Sequence, residues 1–265
     1  MPNNSRDGHR TPVIQSLDRG LVIVEAVARS NDPVSLGELT SLLGIDRSSA
    51  FRLANTLRRR GFLAYPTGRK DYILGPSIWR LSRQYDWSHM LIRIAHEHLK
   101  SLASQTNETA HLAIREGKQA LFIDHATTNH VIAVSGQTGE MAPLYCTAHG
   151  KALLADFDKR ELKTIFGSAP LKPHTRQTVV TIEQLAQLCT EIKARGFATD
   201  DEEFLEGIRC VAAPIRAGGG AIIGSIGISA PLLRFPEQRY GTCGEQVSEV
   251  AQQITALLSQ QSQEA

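Results

Sequence analysis

The side chains best equipped for chemistry lie within residues 34–63, VSLGELTSLLGIDRSSAFRLANTLRRRGFL. Arg47, Ser48, Ser49 and Arg52 crowd the start of a basic helical stretch, and each can hydrogen-bond to a base edge or a phosphate. Arg58 and Arg59 follow near its end, and Arg69 and Lys70 lie a short way beyond. These four are cations that hold phosphate without reading sequence. The chemistry implied is recognition of double-stranded DNA rather than a covalent reaction.

Such side chains act only if a helix presents them to the major groove. Leu36, Leu39, Leu42 and Leu43 have the spacing of one helical face. Ser35 is a good N-cap, and Glu38 three residues later completes a capping-box pattern. Gly44 can end this helix in the left-handed conformation. Asp46 can cap a second helix that buries Ala50, Leu53, Ala54 and Leu57 and leaves Arg47, Ser48, Arg52, Asn55 and Arg59 on its polar face. Upstream, residues 16–28 predict a first helix with Leu17, Leu21, Val24 and Ala28 along one face. Downstream, the strand-like runs 62–65 and 71–74 flank Pro66, Thr67, Gly68, Arg69 and Lys70. A hairpin directly after a recognition helix is a wing, so residues 13–75 predict a winged helix-turn-helix. A helical hairpin with a solvated basic face is the plainer alternative.

Charge divides the chain the same way. Residues 1–85 carry a net +6 and residues 86–265 a net −4, as expected of a DNA-reading module joined to a different domain. The 42% apolar content is that of a soluble globular protein, and no apolar run reaches a membrane-spanning length. Cys146, Cys189, Cys210 and Cys243 show no CxxC spacing, which argues against a disulfide framework and a common zinc site and fits a reducing cytoplasm. The polar stretch 1–12 and the end 260–265 predict disordered arms.

After Gly75-Pro76, residues 77–85 and 88–106 predict linker or dimer helices, so 76–106 forms the linker. From residue 107 to 259 the period changes. Strands are predicted at 109–115, 119–125, 131–135, 210–216 and 221–229, and helices at 147–157, 181–195 and 237–259. Antiparallel hairpins covered by helices make an α+β domain. Gly218-Gly219-Gly220 joins two strands with no following helix, so it reads as a turn and not a phosphate loop.

Four segments resemble the IclR family of bacterial transcriptional regulators: SLDRGLVIVEAV, the helix-turn-helix run, MAPLYCTAHGKALLA, and GFATDDEEFLEGIRCVAAPIRAGGGAIIGSIGIS. The last is the most specific, with Gly196, Glu203, Gly207, Cys210, Ala212 and Pro214 at the family's spacing. The resemblance covers about residues 13–258. It implies an N-terminal, α-rich winged helix-turn-helix, a linker helix, and a C-terminal α+β, GAF-like domain that binds a small metabolite and helps dimers pair into tetramers. It places the effector pocket at Ala148, His149, Asp200, Cys210, Gly227 and Ser229. A loop entering a helix near Gly150 and Lys151 suits a carboxylate. Family members that bind small oxoacids often carry serine where Gly227 stands, and a small or aliphatic residue where His149 stands. Those departures imply more room, one more titratable donor, and an aromatic or longer carboxylate as ligand.

Other readings compete for the same residues. Cys210 with His149 and Asp200 could be a nucleophile and its partners, although an apolar strand is a common place for an inert cysteine. His111, His125, His149 and Asp200 could gather around a metal, or could simply be core and surface residues. Glu203 reads as a salt-bridge or loop anchor. The expectation is a regulator that reads a DNA operator, senses a small effector and self-associates as a dimer or tetramer. No catalytic residue, metal, cofactor or membrane contact is expected. An enzyme with a vestigial DNA head, or a scaffold whose basic head meets protein, are the alternatives.

Overall fold

The computed structural model describes residues 13–30, 32–82, 86–128, 130, 133–134 and 137–261. The chain divides into two compact units, Met1–Asp86 and Trp87–Ala265. The arm at 1–12 and residues 262–265 lie outside the described residues, as does most of the strand expected at 131–135.

In the first unit, α1 (Gln15–Arg29), α2 (Leu36–Leu43) and α3 (Arg47–Arg59) precede a short hairpin of β1 (Leu63–Ala64) and β2 (Ile73–Leu74), then α4 (Pro76–Ser82). The hairpin pairs Leu63 with Leu74 and Ala64 with Ile73. Tyr72 adds a bridge to Val34, exchanging backbone bonds of 2.7 and 2.9 Å, so the wing is tied to the segment entering α2. Ile23, Val27, Leu39, Ala54, Leu63 and Tyr72 form the core, with Leu53 and Leu57 packed at its edge. The first helix differs from expectation. Gly20, Ile23 and Val27 face inward, whereas Leu17 and Leu21 are more than half exposed. Leu42 of α2 is also exposed.

In the second unit, α5 (Asp86–Thr106) leads into β3 (Thr109–Glu116) and β4 (Gln119–Ala126), a hairpin turning at Gly117. Next come β5 (Met141–Pro143), α6 (Ala148–Leu153), α7 (Lys159–Phe166) and α8 (Ile182–Arg195). Strands β6 (Ala198–Asp201), β7 (Ile208–Arg216) and β8 (Ile222–Pro231) and helix α9 (Arg239–Gln261) complete it. The described strands form one antiparallel sheet in the order β5-β4-β3-β8-β7-β6. Strand alternation sends Ile226, Ile228 and Ala230 of β8 to a core shared with α5 and α9. The intervening Ser225, Gly227 and Ser229 face the opposite side, where α6, α7 and α8 pack. Helix α6 stops at Leu153 rather than 157, and α9 runs to Gln261, so residues 260 and 261 are helical and not a tail. Helix α7, β5 and β6 were not anticipated as separate elements. Among the described residues no helix is long and apolar enough to cross a membrane.

Candidate functional site

Local chemistry builds the turn between α2 and α3. The Ser35 side chain accepts from the Glu38 N–H and the Glu38 carboxylate accepts from the Ser35 N–H, closing the capping box. Gly44 sits at φ 59°, the left-handed region that glycine enters without steric cost. Asp46 then caps α3 by accepting from the backbone N–H groups of Ser48 and Ser49, each at 3.0 Å. These serines hold the Asp46 carboxyl well below the usual range, with the Ser48 bond the largest cause. The N-terminal turn of α3 is thereby fixed.

Arg47, Ser48, Arg52, Arg58 and Arg59 are exposed, and Ser49 is half-buried. Ser48 donates its hydroxyl to Asp46 at 2.6 Å, and Ser49 accepts from Arg52 at 3.4 Å. Arg58 donates to Asn55 at 3.0 Å and lies 5.1 Å over the Tyr65 ring of the wing. Arg69 and Lys70 stand exposed on the turn between β1 and β2. Sequence reasoning missed three further cations of this unit. Arg19 of α1 shares a groove with Ser49 and Arg52. Arg60 and Arg80 line another with Arg59. Arg60 lies within the motif beside Arg59, whereas Arg19 and Arg80 are brought beside it only by folding.

The second unit holds a cavity of about 120 Å³ between the sheet and α6. Ala148, His149, Asp200, Cys210 and Ser229 all line it. Gly227, expected with them, is not among its lining residues. A Cβ built there would fall 2.3 Å from the Val211 carbonyl oxygen and 2.7 Å from the Ala212 Cβ. The glycine therefore permits close approach of β7 to β8 and adds no room to the cavity. His111 and Phe122, on β3 and β4, also line it, as do Phe204, Leu205 and Ile208. Alternation along β3 could have suggested His111. The remainder come from loop and strand positions whose neighbours are remote in sequence.

Polar groups at the cavity are unevenly placed. At the β6–β7 end, Asp200 accepts from the Glu203 N–H at 2.8 Å, and the Cys210 thiol donates to Ser229 at 3.2 Å. Lys151 of α6, itself buried, is ion-paired with Glu203. Burial pushes Asp200 up to about 7 and raises Glu203, in each case against the opposing pull of Lys151. At the β3–β4 end, His111 and His149 meet edge to face with ring centroids 6.1 Å apart, and Phe122 contacts both rings. Burial lowers His111 to about 4 and His149 to about 3, so both imidazoles are neutral.

The catalytic alternative finds little support in this geometry. His149 Nδ1 is bonded to Ser225 at 3.0 Å, and the Cys210 thiol, raised by burial, is bonded to Ser229. A nucleophilic cysteine needs the opposite shift. Among the described residues no group of three or more His, Cys, Asp or Glu side chains is placed to hold a metal.

The Asp200 shift predicts a pH dependence of stability. An unfolded aspartate ionises near pH ~3.9, so from there to about 7 the folded chain keeps a proton that the unfolded chain has released. The stability attributable to this group falls as pH rises across that window and stays lost above it. Asp200→Asn keeps an acceptor for the Glu203 N–H but has no proton to lose. In calorimetric unfolding the variant should lose less stability than wild type between about pH 4 and 7; parallel profiles would show that Asp200 ionises normally.

Comparison with known proteins places these features in a family. The family model described as the IclR helix-turn-helix domain matches residues 16–66, and the bacterial transcriptional regulator IclR C-terminal model matches residues 84–256. The chain is 29% identical over 247 residues to the transcriptional repressor IclR of Escherichia coli K12, covering 92% of this chain and 90% of that protein. It is 31% identical over 242 residues to the regulator BhcR of Paracoccus denitrificans, covering 91% and 86%. The crystal structure of Thermotoga maritima IclR superposes with a TM-score of 0.72 at 27% identity, covering 93% of this chain and all of that one. An IclR homolog from Microbacterium hydrocarbonoxydans, crystallised with 4-hydroxybenzoate, shares the fold with a TM-score of 0.79 at 20% identity, covering 92% and 98%. The helix-turn-helix unit, the α+β unit that follows it in sequence and these matches agree: the chain belongs to the IclR family of bacterial transcriptional regulators.

Proposed function

We propose that this DNA-binding regulator switches its operator affinity or its assembly when a small metabolite, a carboxylate, occupies the cavity of the second unit. The observation that carries this reading is the cavity itself, lined by five residues that sequence reasoning had assigned to one pocket from four separate stretches of chain. The neighbour crystallised with 4-hydroxybenzoate, which bears a carboxylate, supports that ligand class. Arg47, Ser48, Ser49 and Arg52 read bases, while Arg58, Arg59, Arg69 and Lys70 hold phosphates. Residues 13–75 act as the DNA head, 76–106 as the linker and 107–259 as the effector domain. Two heads of a dimer occupy successive major grooves of a pseudo-palindromic operator, and dimers can pair as tetramers. Ligand acts by binding one arrangement of the assembly better than another. The protein works in the cytoplasm and is not an enzyme.

The test begins with duplexes selected by the protein from a random-sequence library. Arg52→Ala should weaken binding to the selected site by roughly 1–3 kcal/mol and relax base preference there. Arg69→Ala should weaken binding to all duplexes alike and flatten the salt dependence. Fluorescence anisotropy at several salt concentrations reads both. An Arg52→Ala protein with wild-type affinity and selectivity would remove that residue from base reading.

A further inference from the structure

The cavity has two chemically different ends. Asp200 lies on β6, beside Cys210 of β7, Ser229 of β8 and Thr109 of β3 in register. His111 lies on β3, paired with Gly227 of β8. Three strand spacings separate the β3 and β6 backbones, roughly 14 Å at the usual interstrand distance. The β6 end carries a buried carboxyl. Its nearest buried cation, Lys151, is engaged by Glu203 and does not line the cavity. Among the described residues, no lysine or arginine lines the cavity.

The β3 end carries an unmet hydrogen-bonding demand. His111 and His149 are each 2% exposed. His111 Nδ1 and His149 Nε2 are buried with no hydrogen-bond partner among the described residues. An unpartnered buried polar group is costly, and two beside one cavity call for an explanation. His149 is tied through Nδ1 to Ser225, which orients the ring. With the Ser225 hydroxyl donating to Nδ1, the ring proton resides on Nε2.

We infer that the His111–His149 pair is the carboxylate clamp of the effector site, and that the ligand is a ring-sized monocarboxylate with an apolar body. The inference rests on the effector reading above and names where the charge goes. The carboxylate accepts from His149 Nε2–H and His111 Nδ1–H, away from Asp200. An anion at the opposite end would face Asp200, which can donate to it only while protonated and repels it once ionised, with no lysine or arginine in the lining to offset that charge. Phe122 packs against both imidazoles and limits how they can turn. The ligand body lies along Phe204, Leu205 and Ile208. A cavity of about 120 Å³ is comparable to the roughly 150 Å³ that takes up benzene.

The test is calorimetric titration of the full chain with benzoate and cyclohexanecarboxylate, each against its neutral amide. Both carboxylates should bind, and each amide should bind at least about tenfold more weakly. His149→Leu and His111→Leu should each weaken carboxylate binding by about ten- to a hundredfold. His149→Gln places an amide N–H near the lost Nε2, and His111→Asn near the lost Nδ1, so these variants should recover most of the affinity. A wild-type unfolding enthalpy of the second unit in scanning calorimetry would show that every variant is folded. Equal binding of acids and amides, or leucine variants that bind as wild type does, would overturn the clamp and leave the effector reading standing. Binding of neither acids nor amides by the wild-type protein would overturn both.

Discussion

Replacing Lys151 with methionine is expected to destabilise the second unit by about 3–5 kcal/mol, the range for removing one partner of a buried ion pair. The Lys151 ammonium is enclosed between α6 and the turn after β6, with Glu203 as its partner. Removing it leaves the Glu203 carboxyl, already raised by burial, without its compensating charge. That turn is tied elsewhere by hydrogen bonds and, among the described residues, not by a second buried cation: the Glu202 carboxylate accepts from the Gly207 N–H at 2.8 Å. Thr175 donates to the Glu202 carbonyl at 2.6 Å, and Thr178 donates to the Glu203 carbonyl at 2.7 Å. The double variant Lys151→Met/Glu203→Leu removes both charges and should regain most of the loss, since a buried pair replaced by apolar groups of similar volume is often neutral. Calorimetric unfolding of both variants checks this. A single variant within about 1 kcal/mol of wild type would mean that water reaches the pair.

Gly227→Ser is expected to destabilise the same unit by about 3 kcal/mol, the upper part of the overpacking range, without creating a ligand-facing hydroxyl. The reason is steric. The added Cβ would fall 2.3 Å from the Val211 carbonyl oxygen, a backbone atom held in the β7–β8 ladder. Strands β7 and β8 would have to part where Ala212 pairs with Gly227. Urea denaturation gives the stability, and carboxylate titration at low denaturant gives the ligand response. A serine variant of wild-type stability with tighter carboxylate binding would restore Gly227 to the ligand site.

The elements most legible in the sequence were those whose causes are local. Ser35 with Glu38, Gly44 and Asp46 act within four residues of the ends they shape, and each stands as expected. Helix α7 carried an equally local signal that was passed over: Asp158 and Glu161 close a second capping box. The buried face of α1 was not legible. Leu17, Leu21, Val24 and Ala28 have helical spacing, but so do Gly20, Ile23 and Val27, which turn inward. Periodicity establishes that a stripe exists, and only packing against the rest of the first unit chooses between stripes. Strand β6 is four residues, two of them acidic, and becomes a strand by pairing with β7.

The candidate ligand site divides in the same way. Ala148, His149, Asp200, Cys210 and Ser229 were named from the family resemblance of the sequence and meet at one cavity, where sheet pairing sets Asp200, Cys210 and Ser229 side by side. Their electrostatic character was not in the sequence. Whether His149 is a cation or a neutral donor depends on desolvation and on Ser225, 76 residues away. Whether Lys151 can meet a ligand charge depends on Glu203, 52 residues away.

By itself the sequence determined the DNA-reading turn, the alternation of the strands and the kind of protein, since these follow from hydrogen bonds and steric limits between near neighbours. Tertiary structure alone decided which face of α1 is buried, why position 227 must be glycine, and which imidazole nitrogens are buried beside the cavity. Those outcomes depend on the distance of closest approach between remote backbones and on the loss of water around buried charge. Neither quantity exists until the chain has folded.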